Sequence, residues 1–424
     1  LVLWYGIADG GPLRRAPLPA GEEATPDSLA PPNPGDPLPQ RAEHLESLGA
    51  TAWHTAGARG KGVKVAVLDT GFRGYRDQLG KALPAQVAVR SFRADGKMEA
   101  RDSQHGIFCA EVIHALAPDA EMMLATWEPN SSSQFLEAVH WAKQQGARVI
   151  SCSVIMPSWS DGEGGGPVHE ALTRELAGKE GTTLMFASAG NTARRHWAGV
   201  FHADLAGWHE WKSGCTENRL RPWGTERVSV ELCCPPGPKY QVVVDDLNTS
   251  EEVGHSASSN GRPSVAVVRF DPASAHRYRV RVRLLEGTPA PFHIVALGGD
   301  LDESTAHGSI PFPGDGPEVI AVGAVDAEGH RASYSSCGPN SRQPKPDLVA
   351  PVPFPTTWRD RPFSGTSAAA PQAAGLAALI CSAHPDWSAA RVRQTMTDGA
   401  RDLGPPGHDW ETGYGMIHLP AVAR

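Results

Sequence analysis

Short, continuous apolar runs alternate with longer helix-like stretches through most of this 424-residue chain, and that alternation limits the fold more than any other feature. The spacing predicts strands over 63–68, 121–126, 148–154 and 183–188, with helices over 105–116, 134–145 and 168–178. Runs such as Val65-Ala66-Val67-Leu68 have no polar face, as expected of strands covered on both sides. Alternation of this kind builds a parallel sheet with helices on both faces. The pattern resumes at Val319–Val325 and Asp347–Pro351 and closes with a helix behind Ser367 and another near 387–399. The expected class is α/β.

Between about 195 and 306 the texture changes. The runs Arg227–Leu232, Gln241–Val244, Ser264–Val268 and Tyr278–Val282, several alternating in period two, are separated by polar turns carrying Pro and Gly. They predict an antiparallel β-sandwich inserted into the α/β domain. The expected organisation is a Pro-rich extension over 1–48, a first α/β part over 49–194, the inserted sandwich over 195–306 and a second α/β part over 307–424. The extension, with its PLPAGEEATPDSLAPPNPGDPLPQ tract, has too little apolar surface to fold alone. An arm, a linker and a maturation remnant all fit it.

Four motifs carry chemistry. Asp69 directly follows the Val65–Leu68 run, at the C-terminal end of a buried strand, where open α/β sheets place their sites. His105, in DSQHG, opens a predicted helix, where the dipole favours the neutral imidazole that a general base requires. Ser367, in SGTSAAAP, sits where a helix of small residues begins, so that its own N–H faces an anion. Asn191 ends the run Leu184–Gly190, which places an amide donor after a buried strand. Taken singly, each motif also reads as ordinary turn or surface chemistry.

Together, and in the order Asp, His, Ser, these motifs resemble the subtilisin-like (subtilase) family of serine proteases. The resemblance covers about 49–191 and 308–424. It implies a subtilisin-like parallel-sheet fold and hydrolysis of protein or peptide substrates through an acyl-enzyme. By the same resemblance Ser367 is the nucleophile, His105 the base, Asp69 its orienting carboxylate and Asn191 the oxyanion donor. Glu128, Pro129 and Asn130 on one side, and Ser153, Val154 and Ile155 with Ala189 and Gly190 on the other, become the substrate-binding edges. The insertion, through His196-Trp197-Ala198-Gly199 and Gly207-Trp208-His209-Glu210-Trp211, resembles the pre-peptidase C-terminal type of jelly-roll domain. A peptide ligase or macrocyclase using the same acyl-enzyme, and a weakly catalytic protein that binds through the sandwich, are the alternatives.

The chain also departs from the family pattern. Phe108 stands where a second His is usual, and Ser153-Val154-Ile155-Met156 replaces Ser-Leu-Gly-Gly, setting bulky side chains at the mouth of the specificity pocket. Almost no residues separate the His105 helix from Ala117-Pro118-Asp119-Ala120, so the calcium loop found there in many relatives is expected to be missing. No cofactor is expected to be required. The acidic stretch Asp300–Glu303 could bind calcium but reads better as a solvated acidic loop, and His196, His202 and His209 lack zinc spacing, so no metal ligand is assigned.

A formal charge of −8 without a Lys/Arg block argues against a nucleic-acid partner, and no apolar run is long enough to cross a membrane. A monomer is expected. Of seven cysteines, Cys109, Cys152 and Cys381 read as buried thiols, while Cys215 with Cys233 or Cys234 would make one disulfide. That bridge would fit a secreted or periplasmic enzyme, with the cytoplasm as the alternative. The chain begins at Leu1, which leaves the matter of a leader open.

Overall fold

Val65 and Val67 of β1 (Lys64–Leu68) pack into one apolar layer, and Ala66 and Leu68 into another. Successive strand residues point to opposite faces, so a run with no polar member needs cover on both sides. A computed structural model describes residues 39–100, 103–177, 181–259, 261–339, 343–358 and 362–420, and it supplies that cover. β1 lies near the middle of a seven-stranded sheet with β2 (Ala88–Ser91), β3 (Glu121–Thr126), β4 (Ala147–Cys152), β5 (Leu184–Ser188), β15 (Val319–Val325) and β16 (Leu348–Pro351). The order is β16-β15-β5-β4-β1-β3-β2, and every pairing is parallel.

The layer on the Val65 side contains α3 (His105–Leu116), α6 (Thr366–Ala383) and α7 (Ala389–Gly399). The opposite layer contains α4 (Ser132–Gln144) and α5 (Pro167–Leu176). This is the α/β class expected from the alternation. Strand ends differ from expectation by a residue or two, while α3, β3 and β15 have the predicted limits.

The strands β6 (His196–Val200), β7 (Asn218–Pro222), β8 (Val228–Cys234), β9 (Lys239–Asp246) and β10 (Glu252–Ala257) leave this sheet altogether. So do β11 (Ser264–Phe270), β12 (Tyr278–Glu286), β13 (Pro291–Leu297) and β14 (Gly299–Leu301). They form two antiparallel sheets, β10-β9-β12-β7-β14 and β11-β8-β13-β6. The sheets enclose a core of their own that includes Leu232, Val242, Val280 and Phe292. A sandwich inserted in an α/β unit is therefore what the chain forms. It touches the α/β unit through polar contacts: Ser158 N donates to Glu231 Oε2 at 3.1 Å, and His293 Nε2 meets Glu163 Oε1 at 3.0 Å.

One expectation needs correction, and one is sharpened. The Pro-rich tract ends in a helix, α1 (Pro39–Ser47), which α2 (Ala50–Thr55) follows, and its contacts are those of an arm laid on the α/β unit. Arg41 on α1 bonds the Glu111 carboxylate of α3, and His44 bonds Gln372 of α6 at 2.8 Å. Those partners lie far away in sequence, so local composition gave no sign of them. Residues 1–38 lie outside the described residues. The expected Cys215 disulfide is not formed, and all seven cysteines are unpaired. Cys233 and Cys234 are adjacent on a strand and point to opposite faces, with Cys234 in the sandwich core. Cys215 instead donates to Glu217 O at 3.3 Å.

Candidate active site

The ends of β1 and β5 and the starts of α3 and α6 bring Asp69, Asn191, His105 and Ser367 to one end of the parallel sheet. Asp69 is fully buried one residue past β1. Its Oδ1 accepts from Thr70 N at 2.8 Å and Gly71 N at 2.9 Å, which aims Oδ2 at His105 Nδ1, 2.7 Å away. Gly106 makes that approach feasible. A Cβ there would lie 2.8 Å from Asp69 Cβ and 2.5 Å from the Phe72 ring.

The direction of the His105 pKa shift departs from expectation. Burial is the largest single influence and pulls its pKa down, but the Asp69 carboxylate and the Cys109 sulfur together hold it well above the ordinary 6.5. A full negative charge at hydrogen-bond distance exceeds the fractional charge of a helix terminus, which had suggested the opposite direction. With Nδ1 donating to Asp69, Nε2 is the basic nitrogen of the neutral ring.

Ser367 is the second residue of α6 and is almost wholly buried. Pro371 stands four residues later and has no N–H, so the Ser367 carbonyl loses its helical donor. Two side chains replace it: Ser153 Oγ donates to that carbonyl at 3.2 Å and Cys109 Sγ at 3.6 Å. Cys109 also lies 3.9 Å from His105 Nδ1, so one thiol touches both the His105 ring and the Ser367 main chain. The expected polar loss at Phe108 is filled by aromatic packing, since its ring stacks on Trp358 at 4.7 Å.

Asn191 Oδ1 accepts from Thr366 N at 3.0 Å and Thr366 Oγ1 at 2.9 Å. The side-chain carbonyl is thereby engaged, and the NH₂ end remains the donating end beside the start of α6. Gly190 precedes it at φ +98°, where a Cβ would meet Pro311 at 2.8 Å.

The substrate-edge residues divide. Pro129, Asn130 and Ile155 line a groove of about 330 Å³ whose far wall is the sandwich, with Val265, Val267 and Arg269. Glu128 is turned aside to Arg93 at 2.8 Å, and its N–H goes to Gln134. Contrary to expectation, Val154 contributes no side chain to a pocket mouth: it is fully buried with Met156 and Leu172 in the layer beneath. Ser153 is committed to the Ser367 carbonyl, and Ala189 is buried with Ile310 and Ala321. Alternation along an extended segment turns such neighbours inward and outward by turns. No local sequence signal marks Cys109, Thr366 or Pro371, because each acts on a group distant in the chain, or through a bond it fails to make.

Asp69, His105 and Cys109 hold one ligand-type atom each within 4.8 Å of one another, which would suit a metal by distance alone. Their chemistry fits less well. Asp69 and His105 are already bonded to each other, and burial raises the Cys109 pKa, which keeps the thiol protonated. The acidic stretch is neutralised by protein groups: Asp302 pairs with Arg221 at 2.9 Å and Glu303 with Lys212. His196 and His209 are buried, and burial brings them down to about 3 and about 4, so both are neutral packing groups.

Comparison with known proteins gives this arrangement its class. The chain matches the Subtilase family (Peptidase_S8) over residues 60–230 and 237–415, and it belongs to that family. It is similar to Subtilisin DY of Bacillus licheniformis, 36% identical over 131 residues, or 31% of this chain and 46% of that protein. Subtilisin E of Bacillus subtilis (strain 168) is 36% identical over 135 residues, or 31% of this chain and 33% of that protein. The matched part thus spans less than half the length of these relatives. Among solved structures, the CspB protease of Clostridium perfringens superposes with a TM-score of 0.64 at 16% identity, covering 88% of this chain and 96% of that one. That likeness is one of fold.

Proposed function

We propose that this protein is a serine endopeptidase that cleaves peptide bonds through an acyl-enzyme. The observation that carries the reading is the 2.7 Å bond from His105 Nδ1 to a buried Asp69, at the sheet end where Ser367 begins α6. In this reading Nε2 takes the Ser367 Oγ proton as Oγ attacks the scissile carbonyl. The Asn191 amide and the Ser367 N–H receive the oxyanion. The imidazolium then protonates the leaving amine, and water, deprotonated by the same nitrogen, releases the acid.

Substrate grip follows the groove. The segment of substrate leaving the site passes Pro129, Asn130 and Ile155 and meets the sandwich wall, so the insertion governs which proteins enter. Its two antiparallel sheets support the resemblance to the pre-peptidase C-terminal jelly roll. The short Ala117–Ala120 connection between α3 and β3 supports a reaction without calcium. We read the protein as a monomer that binds neither nucleic acid nor lipid. Among the described residues no helix is long and apolar enough to cross a membrane. Family resemblance favours export, whereas seven unpaired thiols fit the cytoplasm, and fractionation of the source cells decides between them.

The test is Ser367→Ala beside wild type, read by peptide cleavage with mass-spectrometric product analysis and by fluorophosphonate labelling. The variant should lose both while melting cooperatively. Cleavage within tenfold of wild type would overturn the assignment.

A further inference from the structure

Asn191 is held from two sides. Thr366 takes its side-chain carbonyl, and Arg195, four residues on, takes its main-chain carbonyl through Nε at 2.9 Å. Arg195 is only 1% exposed and belongs to the connection that leads into the sandwich. Its N–H closes a turn onto Thr192 O at 2.9 Å, and its carbonyl accepts Ala296 N of β13 at 2.9 Å. The guanidinium carbon lies 4.8 Å above the Trp223 ring, on the β7–β8 connection of the sandwich. Trp223 N is bonded in turn to Gly298 O at 3.0 Å.

A guanidinium buried to this degree is costly to desolvate, and an apolar side chain of similar length would pack at lower cost. Burial brings its pKa down to about 9, with Asp300 opposing, so it remains a cation at neutral pH. What the cation adds over an apolar filler is a charge-assisted grip on the Asn191 carbonyl at one end and an aromatic face at the other. We infer that Arg195 is a positioning residue for the Asn191 amide, through which the inserted sandwich sets the place of the oxyanion donor. The inference rests on Asn191 being that donor. The sandwich is then part of the catalytic apparatus as well as a wall of the substrate groove.

A double-mutant cycle tests it, with kcat and KM measured on a short peptide that does not reach the sandwich. Asn191→Ala should lower kcat by roughly 10²–10³. Arg195→Met should lower kcat by roughly 10–100-fold with KM within about threefold, because displacing a preorganised donor by about an ångström has that effect. In the Asn191→Ala background the Arg195→Met loss should vanish, since there is no amide left to position. Trp223→Leu, at a partly exposed site, should show a smaller loss that vanishes in the same background, and it decides the matter if Arg195→Met does not fold. Additive losses in the double variants, or a wild-type kcat in a folded Arg195→Met, overturn the inference. An unchanged kcat in Asn191→Ala removes the oxyanion assignment first, and the inference with it.

Discussion

Ser153 donates its hydroxyl to the carbonyl of Ser367 at 3.2 Å, at the one position in the first turns of α6 where Pro371 withholds the helical donor. The residue assigned to a substrate edge by resemblance thus holds the main chain of the proposed nucleophile. Ser153→Ala removes that hydroxyl from the buried carbonyl and leaves the weak Cys109 thiol beside it. The variant should lose about 1–2 kcal/mol of stability, the cost of an unmet buried acceptor. Denaturant unfolding checks this, and an unchanged midpoint would show that the bond contributes nothing.

The pH dependence follows from the direction of the His105 shift. Its folded pKa lies above the unfolded 6.5, so the paired imidazolium stabilises the fold fully below 6.5, and that contribution is lost as pH rises through the folded value. Catalysis needs the neutral ring, so kcat/KM should rise over the same window, with an acid-limb midpoint above 6.5. Asp69→Asn removes the charge that raises the pKa and should bring down any residual midpoint. A wild-type midpoint at or below 6.5 contradicts the assignment.

Arg41 reaches from α1 to Glu111, which is 1% exposed and also accepts from Thr357 N, Thr357 Oγ1 and Trp358 Nε1. Arg41→Met removes the cation paired with that carboxylate and should destabilise the protein by about 1–3 kcal/mol. Adding Glu111→Gln should recover part of the loss, because the uncompensated charge is then gone. Thermal melts of the two variants read the difference, and equal melting temperatures for wild type and Arg41→Met would count against it.

Chelation should leave turnover intact. Four residues, Ala117–Ala120, join α3 to β3, and Asp302 and Glu303 already have basic partners. Turnover and melting temperature are followed while a strong chelator is titrated. Loss of turnover that added calcium restores would show that a calcium site supports the enzyme.

The parallel sheet was legible because its strands are covered on both faces and therefore carry unbroken apolar runs, as at Val65–Leu68 and Val319–Val325. Strands without a buried face were not: β2 is largely exposed, and β10 has no fully buried residue. Asp69, His105, Asn191 and Ser367 were legible because each follows or opens an element whose own pattern is strong. Their local geometry demands particular residues, such as Gly106 beside Asp69.

Which side chains face the groove and which support the site was decided only by tertiary structure. Val154 turns into the core while its neighbour Ile155 lines the groove, and Ser153 serves Ser367 across 214 residues of chain. Arg41 in a Pro-rich tract and Arg195 at a domain junction look like surface charges until Glu111 and Asn191 are placed beside them. Local pattern records the period and burial of an element. The identity of a partner depends on which elements meet, and folding alone settles that.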